Sequence, residues 1–202
     1  MPLRIHIMVK LIRHYKAFDP AAKSALEILF LYPGIKAVII HRLSHWLYRK
    51  KRYFLARMVS EFGRSFTGIE LHPGAKIAET VILEHGMGTV IGETVEIGEG
   101  TVILHGVTLG ARRISDFIVG KRHPTVGKNV MIGAGVKVLG AVKIGDGAWI
   151  GANSVVLEDV PPYSSVAGIP AKIVSRRNGL KIVPQSNNQS NNQINNQEVE
   201  AA

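Results

Sequence analysis

Between residues 91 and 156, an aliphatic residue recurs at every sixth position in two runs. One run extends from Ile91 to Leu109, and after an interruption a second run extends from Val126 to Val156. A period of six is a multiple of two, so it returns each aliphatic side chain to the same face of a strand, which the turn of an α-helix does not do. Most of these residues precede a glycine, the residue that best tolerates the backbone of a tight corner. The pattern is typical of a parallel β-helix, in which short strands and corners wind around an aliphatic core.

The repeat divides the chain of 202 residues into three parts. Residues 1–66 are predicted to be a helical segment, in which Asp19-Pro20 supplies an N-cap and a first helical residue, and Pro33-Gly34 separates two helices. Residues 67–174 are predicted to form the β-helix, which the chain leaves after Val156 through proline-rich turns. Residues 175–202 are predicted to be a largely disordered tail, because their Asn/Gln/Ser tract has almost nothing to bury.

The six-residue spacing fails at two places. Leu83 is followed by Ile91 after eight residues, and Leu109 is followed by Val126 after seventeen. The hexad positions inside the longer gap hold a serine and a lysine, which do not belong in an aliphatic core. Residues 110–125 are therefore predicted to leave the coil as a loop, and binding and chemistry are concentrated in loops that a rigid scaffold holds in place.

Each interruption contains a histidine beside a charged residue. His85 follows Glu84 and precedes a glycine, and His123 follows Arg122. A neutral imidazole can take a proton from a hydroxyl near neutral pH, and a carboxylate behind it fixes its tautomer and stabilises the imidazolium. Glu70 and Glu84 are the candidate carboxylates. A single histidine is more often an ordinary exposed corner residue, but the coincidence with the two breaks favours a chemical role for His85 and His123.

A zinc site is an alternative use of these histidines, because the trimeric β-helix carbonic anhydrases of the γ class bind zinc through three histidines at subunit interfaces. Two of those ligands lie only a few residues apart, whereas His85, His105 and His123 are separated by twenty and eighteen residues. Zinc needs three protein ligands in tetrahedral geometry. The spacing therefore predicts that the protein holds no metal.

The chain has no cysteine and a formal net charge of +10. The lack of cysteine excludes disulfides and a thiol nucleophile and agrees with a reducing cytoplasm. The charge favours an anionic partner, but no basic stripe interleaved with aromatic residues points to nucleic acid. The start of the chain lacks the apolar run of a signal peptide, and residues 25–40, the most apolar stretch, are too few and too interrupted to span a bilayer. We therefore expect a cytoplasmic protein that binds neither a membrane nor nucleic acid.

Several motifs resemble those of one enzyme family. They are the segments Ile69–Ile77, Leu83–Gly88 and Val90–Thr94, the sequence Lys121-Arg122-His123-Pro124, and the exit Val166–Lys172. The exit motif is shared among hexapeptide acyltransferases, whereas the Glu-His-Gly-Met-Gly and Arg-His-Pro sequences are more specific. Together they resemble a short form of serine O-acetyltransferase over about residues 19–174.

The resemblance implies a left-handed parallel β-helix preceded by helices and assembled as a homotrimer, with each active site between neighbouring subunits. Long members pair two trimers into a hexamer through the N-terminal helical region, which is short here, so the trimer is favoured over the hexamer. The implied reaction transfers the acetyl group of acetyl-CoA to the hydroxyl of L-serine, giving O-acetylserine for cysteine biosynthesis. His85 matches the general base and Glu70 the carboxylate that orients it. Arg122 and His123 match the pair at the substrate carboxylate and the reacting centre. The remaining matches are Asp19 and Glu84 at the serine amine, and Ala111, Ala134, Ala152 and Lys172 at CoA.

The chain departs from the family pattern at three places. Glutamate stands at positions 70 and 84, where aspartate is usual. The loop after Leu109 begins Gly-Ala-Arg-Arg where Gly-Gly-Thr-Gly is usual, which bears on the contacts with CoA. O-acetylserine sulfhydrylase is a candidate partner, although the sequence ends without the terminal isoleucine that docks into it in many members.

Two other functions stay open on the sequence alone. A related acetyltransferase that acts on a sugar hydroxyl in polysaccharide synthesis shares the solenoid and a similar His-Gly segment, and both the altered loop and His105 agree with it. A non-catalytic scaffold or nucleic-acid binder is suggested only by the net charge.

Overall fold

The computed structural model describes residues 5–113 and 120–176, in which four helices precede fifteen short strands. The helices are α1 (Ile5–Phe18), α2 (Ala25–Leu31), α3 (Pro33–Arg49) and α4 (Tyr53–Thr67). The strands are β1 (Glu70–Leu71), β2 (Lys76–Ile77), β3 (Ile82–Leu83), β4 (Val90–Ile91), β5 (Glu96–Ile97), β6 (Val102–Ile103), β7 (Thr108–Gly110), β8 (Thr125–Val126), β9 (Met131–Ile132), β10 (Lys137–Leu139), β11 (Lys143–Ile144), β12 (Trp149–Ile150), β13 (Val155–Val156), β14 (Ser164–Gly168) and β15 (Ala171–Arg176).

The strands form three sheets through which a single chain winds. Sheet 1 contains β1, β4, β7, β10 and β13, sheet 2 contains β2, β5, β8 and β11, and sheet 3 contains β3, β6, β9, β12 and β14, with β15 antiparallel at its edge. Consecutive strands pass from one sheet to the next. Each strand pairs in parallel with the strand one coil away, as Val90 pairs with Thr108 and Ile97 with Val126. This is the parallel β-helix that the hexad period predicts.

The aliphatic residues of the hexads form the core of the coil. Five of them retain 0% exposed surface: Ile91, Ile103, Leu109, Ile132 and Val138. Burying one such side chain contributes about 1.5–3 kcal/mol. Each strand residue sits on its counterpart in the next coil, so the core fixes the register of the strands and leaves only the corners free to vary.

The start of α2 differs from the sequence prediction. The N-cap of this helix is Ser24, whose hydroxyl accepts the amide of Glu27, while the Glu27 carboxylate accepts the amide of Ser24 in return. This reciprocal pair satisfies two backbone amides at once, so α2 begins at Ala25 and the prediction of a helix start at Asp19-Pro20 is wrong. The predicted break between two helices is confirmed, because α3 begins with Pro33 as its first residue.

Helices α1 and α3 both contact the backbone of Leu83 in β3. The buried hydroxyl of Tyr15 donates to the Leu83 carbonyl at 3.1 Å and accepts the Leu83 amide at 3.2 Å. Gly34 approaches the same carbonyl so closely that a Cβ would lie 2.0 Å from its oxygen. Only glycine fits this contact, so the helical segment packs directly on the strand that leads to His85.

The coil extends further than the sequence predicts. Beyond Val156, the last residue of β13, Val160 forms an isolated bridge with Ile144, and β14 pairs in parallel with β12. The prediction that the chain leaves the repeat after Val156 is therefore wrong. The spacing changes to four residues before Val160 and then returns to six before Val166, which hides this last part of the coil from a strict six-residue search.

Two predicted segments fall partly outside the described residues. In the region predicted as a loop, 110–125, β7 ends at Gly110 and β8 begins at Thr125, but residues 114–119 are not described. Most of the predicted tail, 175–202, also lies outside the described residues, which end at 176. The proposed boundaries of the three parts stay predictions.

Helix α4 presents a row of apolar side chains to the outside. Phe54, Met58, Phe62 and Phe66 recur every four residues, and each is more than half exposed. Residues four apart lie on one face of a helix, so they form a continuous apolar stripe. A large exposed apolar patch marks a contact surface. Within residues 5–113 and 120–176, no helix has both the length and the apolar character needed to cross a membrane.

Two histidines with strongly lowered pKa values make the folded state sensitive to acid. Burial, reinforced by the charge of Arg42, lowers the pKa of His41 in α3 from 6.5 to about 3. Burial likewise lowers the pKa of His72 from 6.5 to about 4. An unfolded chain binds a proton at each position near pH 6.5, whereas the folded chain does not, so protons favour unfolding as the pH falls. With respect to these two histidines, the folded state is most stable above pH 6.5, and its free energy of unfolding decreases progressively toward pH 3–4.

We expect the free energy of unfolding to fall by up to about 1.4 kcal/mol per pH unit for each of these histidines as the pH drops below their ordinary pKa. The substitution His41→Phe keeps a ring in place but removes the proton-binding site, so it should reduce the slope. Urea unfolding at one protein concentration, measured from about pH 7 to about pH 5, gives this slope. The same slope in the wild-type protein and in His41→Phe would contradict the assignment.

Candidate active site

The corners of the β-helix form edges, and two edges carry most of the predicted site residues. We call the corners that lead from sheet 3 to sheet 1 the first edge, and those that lead from sheet 1 to sheet 2 the second edge. His85, His105, Ala134 and Ala152 lie on the first edge in successive coils, and backbone hydrogen bonds connect these corners from coil to coil. The predicted base and two predicted CoA positions therefore share one edge.

His85 is the second residue after β3, in a corner that contains two residues more than the other corners of the first edge. The φ angles of His85, Gly86 and Gly88 are +56°, +67° and +73°, so the backbone turns sharply through the left-handed region. The His85 side chain is 74% exposed, and its Nε2 lies 3.8 Å from Oε1 of Glu84. Its ring meets that of His105 edge-on, with 6.1 Å between the centroids. An exposed imidazole beside a carboxylate is suited to take a proton from a bound hydroxyl.

Glu84 is the buried carboxylate of this corner. Its side chain is 12% exposed, and its Oε2 has no hydrogen-bond partner among the described residues. Burial raises the pKa of Glu84, a rise that His85 opposes and the charge of Asp19 reinforces. A buried carboxylate oxygen without a partner is costly, so this position suits a ligand that brings N–H donors, above all a cationic one.

Asp19 reaches the same region from the segment after α1. One of its carboxylate oxygens accepts the amide of Ala21 at 2.8 Å, and the other accepts the hydroxyl of Tyr32. The hydrogen bond to Asp19 is the main reason why the pKa of Tyr32 is raised to about 12. Since Asp19 contributes to the raised pKa of Glu84, the helical segment and the β-helix each supply one carboxylate to this region.

Glu70 lies apart from the contacts of His85. It belongs to β1, is half-buried and pairs through its backbone with Val90 of β4. In the described part of the chain, the carboxylate within ion-pair distance of the His85 imidazole is that of Glu84 rather than that of Glu70. The orienting role of Glu70 stays a prediction.

His123 lies on the second edge, at the end of the segment that returns from the loop. A Cβ on Gly92 would lie 2.4 Å from Cδ2 of the imidazole, so glycine at this position makes room for the ring. The Nδ1 atom of His123 lies 3.2 Å from the amide nitrogen of Thr94 and 2.9 Å from its hydroxyl. Burial, followed by the charge of Arg122, lowers the pKa of His123. The surroundings therefore favour a neutral imidazole in one orientation.

Arg122 is held by Glu93, the residue before Thr94. Its guanidinium forms an ion pair with Oε2 of Glu93, and the hydroxyl of Tyr48 in α3 donates to Oε1 at 2.7 Å. The Tyr48 hydrogen bond first, and that of Arg122 after it, lower the pKa of Glu93, while the same Tyr48 bond raises the pKa of Tyr48 to about 12. No sequence pattern singles out Glu93, Thr94 or Tyr48 as functional residues.

Within one chain the two histidines lie on different edges. His85 precedes a strand of sheet 1, whereas His123 precedes a strand of sheet 2, and no ring contact joins them among the described residues. The structure places Glu84 within 3.8 Å of His85 and lets the charge of Asp19 act on Glu84, and it places Arg122 beside His123 at a second location.

The predicted CoA positions are also divided between locations. Ala134 and Ala152 lie on the first edge, Ala111 follows β7 on the second edge, and Lys172 lies in β15 opposite Ala167 of β14. Their contact with CoA stays a prediction. No group of three or more His, Cys, Asp or Glu residues within the described ranges is arranged to hold a metal ion. The prediction that the protein needs no metal is not tested by this finding.

Comparisons with known proteins give consistent matches. Residues 123–160 match the model of the bacterial transferase hexapeptide (six repeats). The serine acetyltransferase of Mycobacterium tuberculosis is 51% identical to this chain over 165 residues, which cover 82% of this chain and 71% of that protein. A crystal structure of Neisseria gonorrhoeae serine acetyltransferase in complex with serine is similar with a TM-score of 0.80 and 37% identity, covering 85% of this chain and 69% of that one. A Brucella abortus serine acetyltransferase in complex with coenzyme A gives a TM-score of 0.81 and 36% identity, covering 86% of this chain and 68% of that one.

We expect the substitution Tyr48→Phe to raise the pKa of Glu93 toward the ordinary value of a glutamate, because it removes the hydroxyl that donates to the carboxylate. The rise should be partial, since the ion pair with Arg122 remains. A pH titration of the glutamate carboxyl carbons by NMR, with Glu93→Gln for assignment, measures this pKa. Tyr53→Phe, which removes a hydroxyl from the ring that packs edge-on against Tyr48, is the matched control and should leave the pKa of Glu93 unchanged. If Tyr48→Phe also leaves it unchanged, the hydroxyl is not what lowers the Glu93 pKa.

Proposed function

The chain belongs to the serine acetyltransferase family, and from this membership we propose that its two groups of site residues transfer an acetyl group from acetyl-CoA to the hydroxyl of L-serine. The product is O-acetylserine. The observation that carries the assignment of roles is the Glu84 carboxylate, whose buried Oε2 has no partner among the described residues and which lies beside the exposed imidazole of His85.

The charges of the site suit an amino acid. Serine is a zwitterion, so it needs carboxylates for its ammonium group and a cation or neutral donors for its carboxylate. Glu84 and Asp19 supply the first, and the unpartnered Oε2 of Glu84 would accept a hydrogen bond from the ammonium group. Arg122 and His123 supply the second. With both ends of serine held, its hydroxyl would face His85.

His85 acts as the general base in this proposal. Its imidazole takes the proton of the serine hydroxyl while the serine oxygen attacks the thioester carbonyl carbon of acetyl-CoA. The tetrahedral intermediate collapses, the carbon–sulfur bond breaks, and the imidazolium returns the proton to the leaving sulfur. The thioester is already activated, so positioning and general base catalysis are sufficient, and no metal is required. The role of Glu70 behind His85 is retained in the proposal on family resemblance alone.

We further propose that the working form is a homotrimer. Within one chain His85 and His123 lie on different edges, so a complete site requires the first edge of one subunit to face the second edge of another. The apolar stripe of α4 offers additional surface for contact between subunits. A hexamer made of two trimers would use the same edges for catalysis. The mass of the assembly in solution distinguishes a homotrimer from such a hexamer.

The groove between the facing edges is the proposed site of CoA. Ala134 and Ala152 on the first edge have small side chains, which let an extended chain approach the backbone closely. Ala111 at the start of the loop and Lys172 in β15 would lie along or at the end of this groove, where the lysine could meet a phosphate.

The decisive experiment mixes the purified protein with acetyl-CoA and follows thiol release with L-serine or with sugar acceptors. We expect release with L-serine, and His85→Ala should reduce the rate by about 10²–10⁴-fold while the fold is retained, since that is the usual contribution of a general base. No release with serine together with turnover of a sugar would replace the proposed function with sugar acetylation. Full activity of His85→Ala would remove the base assignment.

A second experiment tests the amine end of the site. Glu84→Gln keeps the shape of the side chain but removes its charge, so we expect the KM for serine to rise about 10–100-fold, as for the loss of a hydrogen bond between charged groups. The KM for acetyl-CoA should change little. Glu79→Gln, which alters an exposed ion pair with Lys10, serves as the control. Equal increases in both KM values would contradict a specific contact with the serine amine.

A further inference from the structure

Thr94 surrounds one nitrogen of His123 with hydrogen-bond donors. Its backbone amide donates to Nδ1 at 3.2 Å, and its hydroxyl oxygen lies 2.9 Å from the same atom. The hydroxyl also accepts two backbone amides, that of Arg122 at 3.3 Å and that of His123 at 3.2 Å. One short side chain thus contacts both residues of the predicted Arg-His pair.

These contacts determine the direction of the hydrogen bond between Thr94 and His123. A hydroxyl has one hydrogen and two lone pairs. The two amides occupy both lone pairs of the Thr94 oxygen, so its hydrogen is left to point at Nδ1. The backbone amide of Thr94 is also a donor to Nδ1 and cannot act otherwise. Nδ1 therefore accepts hydrogen bonds and carries no proton.

An imidazole that accepts at Nδ1 and is neutral carries its proton on Nε2. Among the described residues, nothing accepts a hydrogen bond from Nε2 of His123. We propose that Thr94 is a positioning residue that holds His123 as a neutral hydrogen-bond donor, with Nε2–H directed to a negatively charged oxygen of the reacting molecules. This inference rests on the proposed function and deepens it, because it gives the two imidazoles different tasks: His85 moves a proton and His123 keeps its own.

Most of the charged groups around His123 also favour the neutral imidazole, and Glu93, which does not, is held by other residues. Arg122 and Lys121 on its own segment disfavour an additional positive charge, and Glu93 is the carboxylate that opposes them. His72, which follows β1, lies near His123 but is neutral near pH 7, because its pKa is lowered to about 4. Glu93 is itself paired with Arg122 and accepts the hydroxyl of Tyr48. Burial adds to the preference for the neutral ring, and the net result is a lowered pKa.

The proposed donor has two candidate acceptors with the same chemistry. One is the carboxylate of serine, and the other is the oxygen of the thioester carbonyl, which becomes negative as the tetrahedral intermediate forms. A neutral donor held in a fixed position stabilises negative charge on either oxygen without giving up its proton and without reorganising as the charge forms. In the first case the loss of Thr94 raises the KM for serine, and in the second case it lowers kcat.

The direct test is the nitrogen-15 NMR spectrum of imidazole-labelled protein, with the His123 signals assigned by their loss in His123→Asn. In the wild-type protein at about pH 7.5, where the neutral ring prevails, we expect Nδ1 unprotonated and Nε2 protonated. Thr94→Val removes the hydroxyl and leaves the backbone amide as the remaining Thr94 donor to Nδ1, so a fraction of the Nδ1-protonated tautomer should become detectable, whereas Thr94→Ser should restore the wild-type signals. Thr101→Val removes a corner hydroxyl that donates to Gly127 and accepts from Val130, and it controls for the general loss of such a bond. A proton on Nδ1 in the wild-type protein, or identical signals in Thr94→Val, would overturn the proposal.

Steady-state kinetics supply the functional readout. Thr94→Val should lower kcat/KM for serine at least about tenfold, because a misplaced catalytic group commonly costs that much or more. Thr94→Ser should retain most of the wild-type kcat/KM, and Thr101→Val should retain all of it. An unchanged kcat/KM in Thr94→Val would overturn the proposed role. Failure of the wild-type protein to acetylate serine would remove the proposed function but leave the NMR result readable. A protonated Nδ1 in an enzyme that does acetylate serine would remove only this inference.

Discussion

The stacking of one aliphatic side chain per hexad on its counterpart in the next coil is the constraint on which the rest of this molecule depends. Parallel strands such as β4 and β7 pair in a fixed register, so a residue inserted within a strand would turn the side chains after it toward the wrong face. Extra residues are accommodated only in corners, where they do not enter the core. His85 lies in a corner that contains such residues, and His123 lies at the end of the longer insertion in the next edge, so the regular core is what makes both positions distinctive.

The fold and the two histidines can be predicted from the sequence because both depend on local spacing. The period of six gives the strands, and the two failures of that period point to His85 and His123. The groups that hold Arg122 and His123 cannot be predicted in this way, because they depend on how a long insertion returns against an earlier corner. Glu93 and Thr94 fall within a segment that resembles the family, but no spacing shows that they contact the returning chain.

The helical segment takes part in the site rather than standing apart from it. Local capping rules favour either Asp19 or Ser24 as a helix start, and the reciprocal hydrogen bonds of Ser24 decide the competition. Asp19 is then available to bind the hydroxyl of Tyr32 and to face the Glu84 corner. Asp19 therefore does not start a helix but lies where its charge acts on Glu84, a placement that a rule based on neighbouring residues does not reveal.

The repeat length limits how many residues can be added to the β-helix without moving residues to a different edge. Eighteen residues separate Val90 from Thr108, its counterpart one coil later. Adding eighteen residues after β10 would add one coil, so Ala152 would again lie on the first edge. The β-helix would become longer by about 4.8 Å, the usual distance between neighbouring strands. Adding six would advance the chain by one sheet and move Ala152 to a different edge. The β-helix can therefore be lengthened only by whole coils. A groove between its edges can be fitted to a longer linear ligand only in steps of one coil.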